Sequence, residues 1–270
     1  MQRLLVAALV LGFAFLNPPD ANPQEKPAVS AEELAKKLSN PVASLISVPL
    51  QSNTDIGIGD FNGSRFTLNV QPVIPITLSP NVNLIARVIV PIVAQHDITA
   101  EATSQSGLGD IVASAFFSPS RSRNGLTWGI GPAFLIPAAT DDFLGAGKLG
   151  VGPTGVILKQ TGGWTMGALV NQLWSVAGDS TRSDLSQMFV QPFLSYNWKS
   201  GAGITMNAEI ARNWEAATTT TFLNPVISGV TRVGGQTVSL AVGPRIPLTV
   251  PPGSKPAFGV RAAMTLVFPK

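Results

Sequence analysis

Between Arg65 and Leu78 the chain reads Arg-Phe-Thr-Leu-Asn-Val-Gln-Pro-Val-Ile-Pro-Ile-Thr-Leu, with apolar side chains at most even positions and Arg65, Thr67, Asn69, Gln71 and Thr77 among the odd ones. A period of two is the pattern of a β-strand with two unlike faces. Similar runs recur along nearly the whole chain, separated in turn by tight turns and longer loops. That is how a transmembrane antiparallel up-and-down β-barrel is written, and an all-β barrel of about twelve strands is the fold expected.

Mean hydropathy is +0.28 with only 12% charged residues. Yet beyond the first twenty residues no apolar stretch approaches the roughly 20 residues that a membrane helix needs. In lipid every backbone donor and acceptor must be paired within the protein, so a membrane chain without spanning helices has a closed barrel as its solution. A secreted β-sandwich is the soluble alternative.

Residues 1–21 read as a secretory signal peptide: Arg3 is the positive start, Leu4 to Leu16 the apolar core, and Pro18, Pro19 and Ala21 end it. The chain has no cysteine, hence no disulfide and no lipid attachment site. Net charge is +3, and no dense Lys/Arg patch interleaves with aromatics, which argues against a nucleic-acid partner. Residues 22–43 read as a flexible periplasmic segment carrying a short helix at 30–39. Ser30 and Glu33 form a capping box, Lys36 and Lys37 suit the carboxyl end, and Pro41 follows the stop. A tail helix leaning on the barrel rim and a small plug at its mouth are both open readings.

Residues 44–270 then divide into strands near 44–52, 65–78, 82–94, 109–118, 126–137, 150–160, 163–175, 184–198, 202–214, 219–232, 236–248 and 256–268. The connections Ser79-Pro80-Asn81, Thr161-Gly162, Ser200-Gly201 and Gly234-Gly235 are short, whereas 53–64, 95–108 and 138–149 are long. This order matches periplasmic turns alternating with outer loops.

Parity separates the faces. In 202–214, Ile204, Met206, Ala208 and Ile210 alternate with Thr205, Asn207 and Glu209; in 256–268, the apolar Phe258, Val260, Ala262, Met264, Leu266 and Phe268 alternate with Gly259, Arg261 and Thr265. In 184–198 the inward set includes Gln187 and Gln191. The expected pore-lining residues are Asn69, Gln71, Arg87, Asp110, Gln187, Gln191, Asn207, Glu209, Arg245 and Arg261, with Arg65 and Arg232 near the ends. For 150–160 and 163–175 parity is ambiguous. Aromatic belts mark both interfaces of such barrels. Here Trp128, Trp164, Tyr196 and Trp198 fall near the short-turn ends, and Trp174 and Trp214 near the opposite ends.

Six prolines interrupt these strands, each after Gln, Gly or Asn: Pro72, Pro132, Pro153, Pro192, Pro225 and Pro244. Proline cannot donate to a ladder and a closed barrel has no edge, so bulges or kinks are expected there.

Several phrases resemble a family of bacterial outer-membrane β-barrel proteins labelled as transporters, related to the barrels of phenol (meta-pathway) degradation clusters. They are Glu33-Leu-Ala-Lys-Lys-Leu-Ser-Asn-Pro-Val-Ala-Ser-Leu-Ile-Ser-Val-Pro, Asn69-Val-Gln-Pro-Val-Ile-Pro, Gly107-Leu-Gly-Asp, Gly131-Pro-Ala-Phe-Leu-Ile-Pro-Ala-Ala-Thr-Asp-Asp, Gln191-Pro-Phe-Leu-Ser-Tyr and Leu266-Val-Phe-Pro-Lys. The resemblance implies a passive transporter of the bacterial outer membrane, embedded in its lipid and delivered by the barrel-assembly machinery. It brings no catalytic motif. The chain departs from the general barrel ending in that Phe268 is followed by Pro269 and Lys270.

No catalytic, metal or cofactor site is expected. His96 is the only histidine, and no Gly-x-Ser-x-Gly elbow accompanies it, so a barrel lipase is the weakest reading. Asp141 and Asp142 are two carboxylates where calcium wants several oxygens. The Gly107-Leu-Gly-Asp stretch opens no helix and reads as a turn, not a phosphate cradle. The expected function is a channel for small solutes, anionic or aromatic ones among the candidates, and a non-conducting structural barrel is the alternative. For the inward arginines, a hydrated anion-favouring field and an Arg-carboxylate packing network are equally open.

Overall fold

The computed structural model describes residues 30–268; the expected signal peptide, the segment 22–29 and the final Pro269-Lys270 lie outside them. Fifteen hydrogen-bonded segments form one antiparallel sheet, and three pairs of them are halves of an interrupted strand, leaving twelve staves. These are β1 (Ile46–Ile58), β2 (Gly63–Val70 with Val73–Ser79), β3 (Val82–His96), β4 (Ser104–Leu108 with Ile111–Pro119), β5 (Leu126–Ile136) and β6 (Lys148–Thr161). They continue as β7 (Trp164–Gly178), β8 (Ser186–Asn197), β9 (Ala202–Asn213), β10 (Thr218–Val233), β11 (Gln236–Pro244 with Ile246–Thr249) and β12 (Phe258–Phe268). Each pairs with its sequence neighbours, and β1 pairs with β12 from Ile46↔Phe268 to Ile56↔Phe258, which closes the barrel.

The expected strands stand with two shifts at the loops. The stretch 53–64 is not a long loop: β1 runs to Ile58 and only residues 59–62 turn. Its Ser-Asn-Thr-Asp run is polar on both faces, so alternation disappears although the ladder with β12 continues. Likewise β3 extends to His96, which pairs with Ser104, so the loop is 97–103. The parity of β6 and β7 is now clear: Val156, Leu158, Leu169 and Leu173 are buried inside while Ile157, Met166 and Val170 are exposed outside. Alternation failed there because both faces are apolar.

The prolines act differently from expected bulges. Pro72 falls in the break between Val70 and Val73 and Pro244 ends its segment, but Pro132, Pro153, Pro192 and Pro225 lie inside β5, β6, β8 and β10. The register is unshifted on either side of each of these four: Pro132 faces Pro153, and Pro225 pairs with Met206. What each missing N–H costs is a local gap with one neighbour, as where the β4–β5 ladder jumps from Phe117↔Ile130 to Ser114↔Ala133. Where a glycine precedes the proline, as at Gly131, Gly152 and Gly243, it lets a neighbouring backbone come close. A Cβ on Gly131, Gly152 or Gly243 would overlap the carbonyl oxygen of Ala115, Gln172 or Pro225 respectively. Glycine is needed for that close backbone approach, not for an unusual dihedral.

The helix α1 (Ala31–Leu38) forms where its capping signals place it. Ser30 Oγ accepts from Glu33 N at 3.1 Å, Lys37 pairs with Glu33 at 2.8 Å, and Ser39 Oγ closes on the Ala35 carbonyl at 3.1 Å. Beyond it the chain turns at Asn40, whose Oδ1 accepts from Val42 N at 2.9 Å. This segment enters the short-turn end of the barrel. Val42 packs into an apolar cluster of Ile85, Phe116, Val156, Leu158 and Leu169 on the β3–β7 wall. Gln160 donates to the Lys36 carbonyl at 2.8 Å, Asn197 to Ser39 Oγ at 3.0 Å and Asn83 to Ser44 Oγ at 2.8 Å. Burying the valine contributes about 2 kcal/mol, so packing holds a helix too short to stand alone.

Candidate functional site

With β3–β7 occupied by the apolar cluster, the open part of the lumen is two cavities in series. The one nearer the long loops is about 680 Å³ and the one against α1 and residues 39–45 is about 290 Å³. Gln51, Gln71, Arg87 and Gln191 line both and so form the waist between them. The strand alternation sends Asn69, Gln187, Glu209 and Arg245 into the larger cavity and Asn207 and Arg261 into the smaller.

Asp110 does not join them. It sits at the gap between Leu108 and Ile111, where the pairing with β3 shifts by one residue, from Ile92↔Leu108 to Ile89↔Val112. Parity therefore flips along β4: Gln105 points inward above the gap, bonded to Gln95 at 2.8 Å, while Ser114 and Phe116 point inward below it. Asp110 instead accepts backbone N–H groups of Ala139 at 3.3 Å and Ala146 at 2.6 Å, holding the 137–147 loop. A one-residue slip is invisible to a period-two count.

Two lumen arginines belong to a packed network. Arg245 lies 2.7 Å from Glu209 and 3.4 Å from Asp55, with its guanidinium 3.6 Å above the Phe222 ring centre. Arg261 lies 2.7 Å from the other Glu209 oxygen and donates to Asn53 at 2.8 Å. Asn224 and Asn207 together link them: Asn224 accepts from Arg245 at 3.3 Å and donates to Asn207 Oδ1 at 3.0 Å, and that oxygen also accepts from Arg261 at 3.5 Å. Such desolvated charges persist only because each has partners. Asp55 and Asn53 were not foreseen, since both lie in the stretch read as a loop; Gln51, Asn53 and Asp55 do occur at every second position.

The other two lumen arginines are differently placed. Arg87 donates to Gln71 Oε1 at 2.6 Å and Arg65 to Gln95 Oε1 at 3.0 Å, and neither has a carboxylate within ion-pair distance among the described residues. The cavity walls thus carry four arginines against Asp55 and Glu209.

Phe116, Phe189 and Phe222 face the lumen, whereas the tryptophans lie on the outer face. Trp128, Trp164, Trp174, Trp198 and Trp214 are all exposed there. Near the short turns, Trp164, Tyr196 and Trp198 pack in succession, the first pair tilted and the second edge to face, with 4.8 and 5.3 Å between ring centres. Near the long loops, Trp214 Nε1 donates to Gln172 at 3.0 Å.

His96 contacts Ser104 Oγ through Nδ1 at 2.6 Å and Asp97 through Nε2 at 3.4 Å, but it is exposed and lines neither lumen cavity. From the 179–185 loop, Arg182 reaches the 137–147 loop and donates to the carbonyls of Asp142 and Gly145, using oxygens that a cation beside Asp141 and Asp142 would need. Among the described residues no three His, Cys, Asp or Glu side chains converge.

Comparison with solved structures gives a likeness of fold. The crystal structure of an outer membrane channel from Pseudomonas putida F1 superposes with a TM-score of 0.67 at 13% identity, over 84% of this chain and 97% of that one. At that identity the likeness is one of fold. No protein-family model matches the chain, and no curated protein does.

Proposed function

We propose that the chain is a bacterial outer-membrane channel passing small solutes by diffusion, with anions favoured, its short turns and α1 facing the periplasm. The carrying observation is the lumen: two cavities of mixed polar and apolar lining that share an amide-and-guanidinium waist, with Arg65 and Arg87 left over once Asp55 and Glu209 are matched against Arg245 and Arg261. Unmatched positive charge lowers the barrier for anions and raises it for cations. The two readings of the inward arginines therefore divide by residue: Arg245 and Arg261 pack, Arg65 and Arg87 set the field.

The outer face supports a lipid environment. Ile130, Ile157, Val170, Leu194, Met206, Ile227 and Leu240 are all exposed on it, which water would penalise and lipid would not. On β7, Trp164 and Trp174 flank the apolar stretch. Ten residues at about 3.3 Å each, tilted by about 40°, span about 25 Å, the height of a barrel's apolar band. Insertion would use the barrel-assembly machinery after export by the N-terminal signal.

Reconstitution into a planar bilayer tests the reading: discrete current steps are expected. A folded barrel that leaves the bilayer sealed would overturn it in favour of a structural barrel.

A further inference from the structure

The larger cavity is two-sided in its chemistry. Arg87 is bracketed on its own strand by the inward Ile85 and Ile89, while its cross-strand partner on β4, Ser114, is bracketed by Val112 and Phe116. Ile85 and Phe116 belong to the buried apolar cluster, against which Phe189 packs from β8. A guanidinium with a single amide partner thus stands at the edge of an apolar wall, beside the open space of the cavity. An inorganic anion would gain from the charge but would have to leave water for the hydrocarbon around it. A neutral apolar molecule would gain from the wall but would desolvate the guanidinium without compensation.

We propose that this waist is a binding site for small monocarboxylates with an apolar body, the carboxylate on Arg87 with Gln71 and Gln191 beside it, and the body against Ile89, Val112 and Phe189. The assignment rests on the channel reading for the ligand's route, and deepens it by naming the solute class. Arg65, at the level of Gln95 near the long-loop end, lies on the way in and draws the anion toward the waist. A planar guanidinium can meet a carboxylate through two parallel hydrogen bonds, and each methylene laid on the wall adds about 0.8 kcal/mol, about fourfold in affinity.

The test is calorimetric titration of the full barrel, in a non-ionic detergent and chloride-free buffer, with acetate, butanoate, hexanoate, 1-hexanol and sulfate. Affinity is expected to rise about fifteenfold per two methylenes along the carboxylate series, with 1-hexanol and sulfate at least tenfold weaker than hexanoate. Arg87→Met is expected to remove hexanoate binding. Phe189→Ser, which keeps the charge and serves where Arg87→Met does not fold, is expected to flatten the chain-length dependence while acetate binding is unchanged. Sulfate or acetate binding as tightly as hexanoate, or a chain-length series unaltered by Phe189→Ser, would overturn the site. Because the readout needs no current, hexanoate binding by a barrel that does not conduct would overturn the channel and leave the site standing. Conduction without hexanoate preference would do the reverse.

Discussion

At the scale of single residues, the barrel depends on positions where something is left out. Gly131, Gly152 and Gly243 each admit a neighbouring carbonyl where a Cβ would stand, beside a proline that has already removed a ladder bond. Gly131→Ala must push Ala115 away and widen an existing gap, and a destabilisation of at least about 2 kcal/mol is expected. The measurement is the urea midpoint of the folded band in a heat-modifiability gel. An unchanged midpoint would mean that the close approach is not needed. Glu209 is the opposite case, a carboxylate held by both Arg245 and Arg261. Removing one partner from a buried ion-paired group costs about 3 to 5 kcal/mol. Glu209→Gln should therefore lower the same midpoint sharply, while conservative changes at exposed Ile157 should not. The inward charged set was readable in advance, whereas the close approaches at the glycines were not. Period two put Glu209, Arg245 and Arg261 inside together, and what it could not supply was who pairs with whom, since Asp55 lies far away in sequence and closes on Arg245 only when β1 meets β12.

At the scale of elements, the segment 30–45 and the loops set how open the two ends are. Capping chemistry announced α1, but its location rests on Val42, one apolar residue whose partners come from β3 to β7. No local pattern encodes such a contact. Val42→Asp combined with Asn197→Ala should release the segment and raise unitary conductance at least twofold, with the barrel still folded; equal conductance would place the bottleneck elsewhere. At the other end, the 179–185 loop is tied by Asp184, which accepts from the buried Lys148 ammonium at 3.1 Å and from Ser175 at 3.1 Å. The hydrogen bond from Lys148, then that from Ser175, hold the Asp184 carboxyl below the usual carboxylate range. A depressed carboxylate lends its stabilisation above its unfolded value of about 4 and loses it as pH falls through the folded one. Pepsin should consequently cut this loop faster at pH 2 than at pH 4 relative to an unstructured control peptide. Asp184→Asn should abolish that difference. The one-residue slip on β4 is the element-scale feature that parity got wrong, because two correct half-strands of opposite phase look like one when only Ser114 and Phe116 are counted.

At the scale of the whole molecule, the chain resolves two demands that pull against each other. A twelve-stave barrel is too wide to be filled by ordinary side chains and too narrow to be an open porin. Here one side of the lumen is packed with Ile85, Phe116, Leu158 and Leu169 around Val42, and the other is left to amides and arginines. The fold was legible because strand period, turn spacing and aromatic placement each report on the outer face, where lipid sets a simple rule. The partition of the lumen was not, since an apolar residue facing inward on β6 or β7 reads the same as one facing lipid. The central claim is that Arg65 and Arg87 give the passage its preference for anions. It is tested most directly by the reversal potential of the single-channel current across a tenfold potassium chloride gradient. The account predicts a potential of anion-selective sign that moves toward zero in Arg65→Gln and further in Arg65→Gln/Arg87→Gln. A cation-selective wild type, or a reversal potential indifferent to both substitutions, would contradict it.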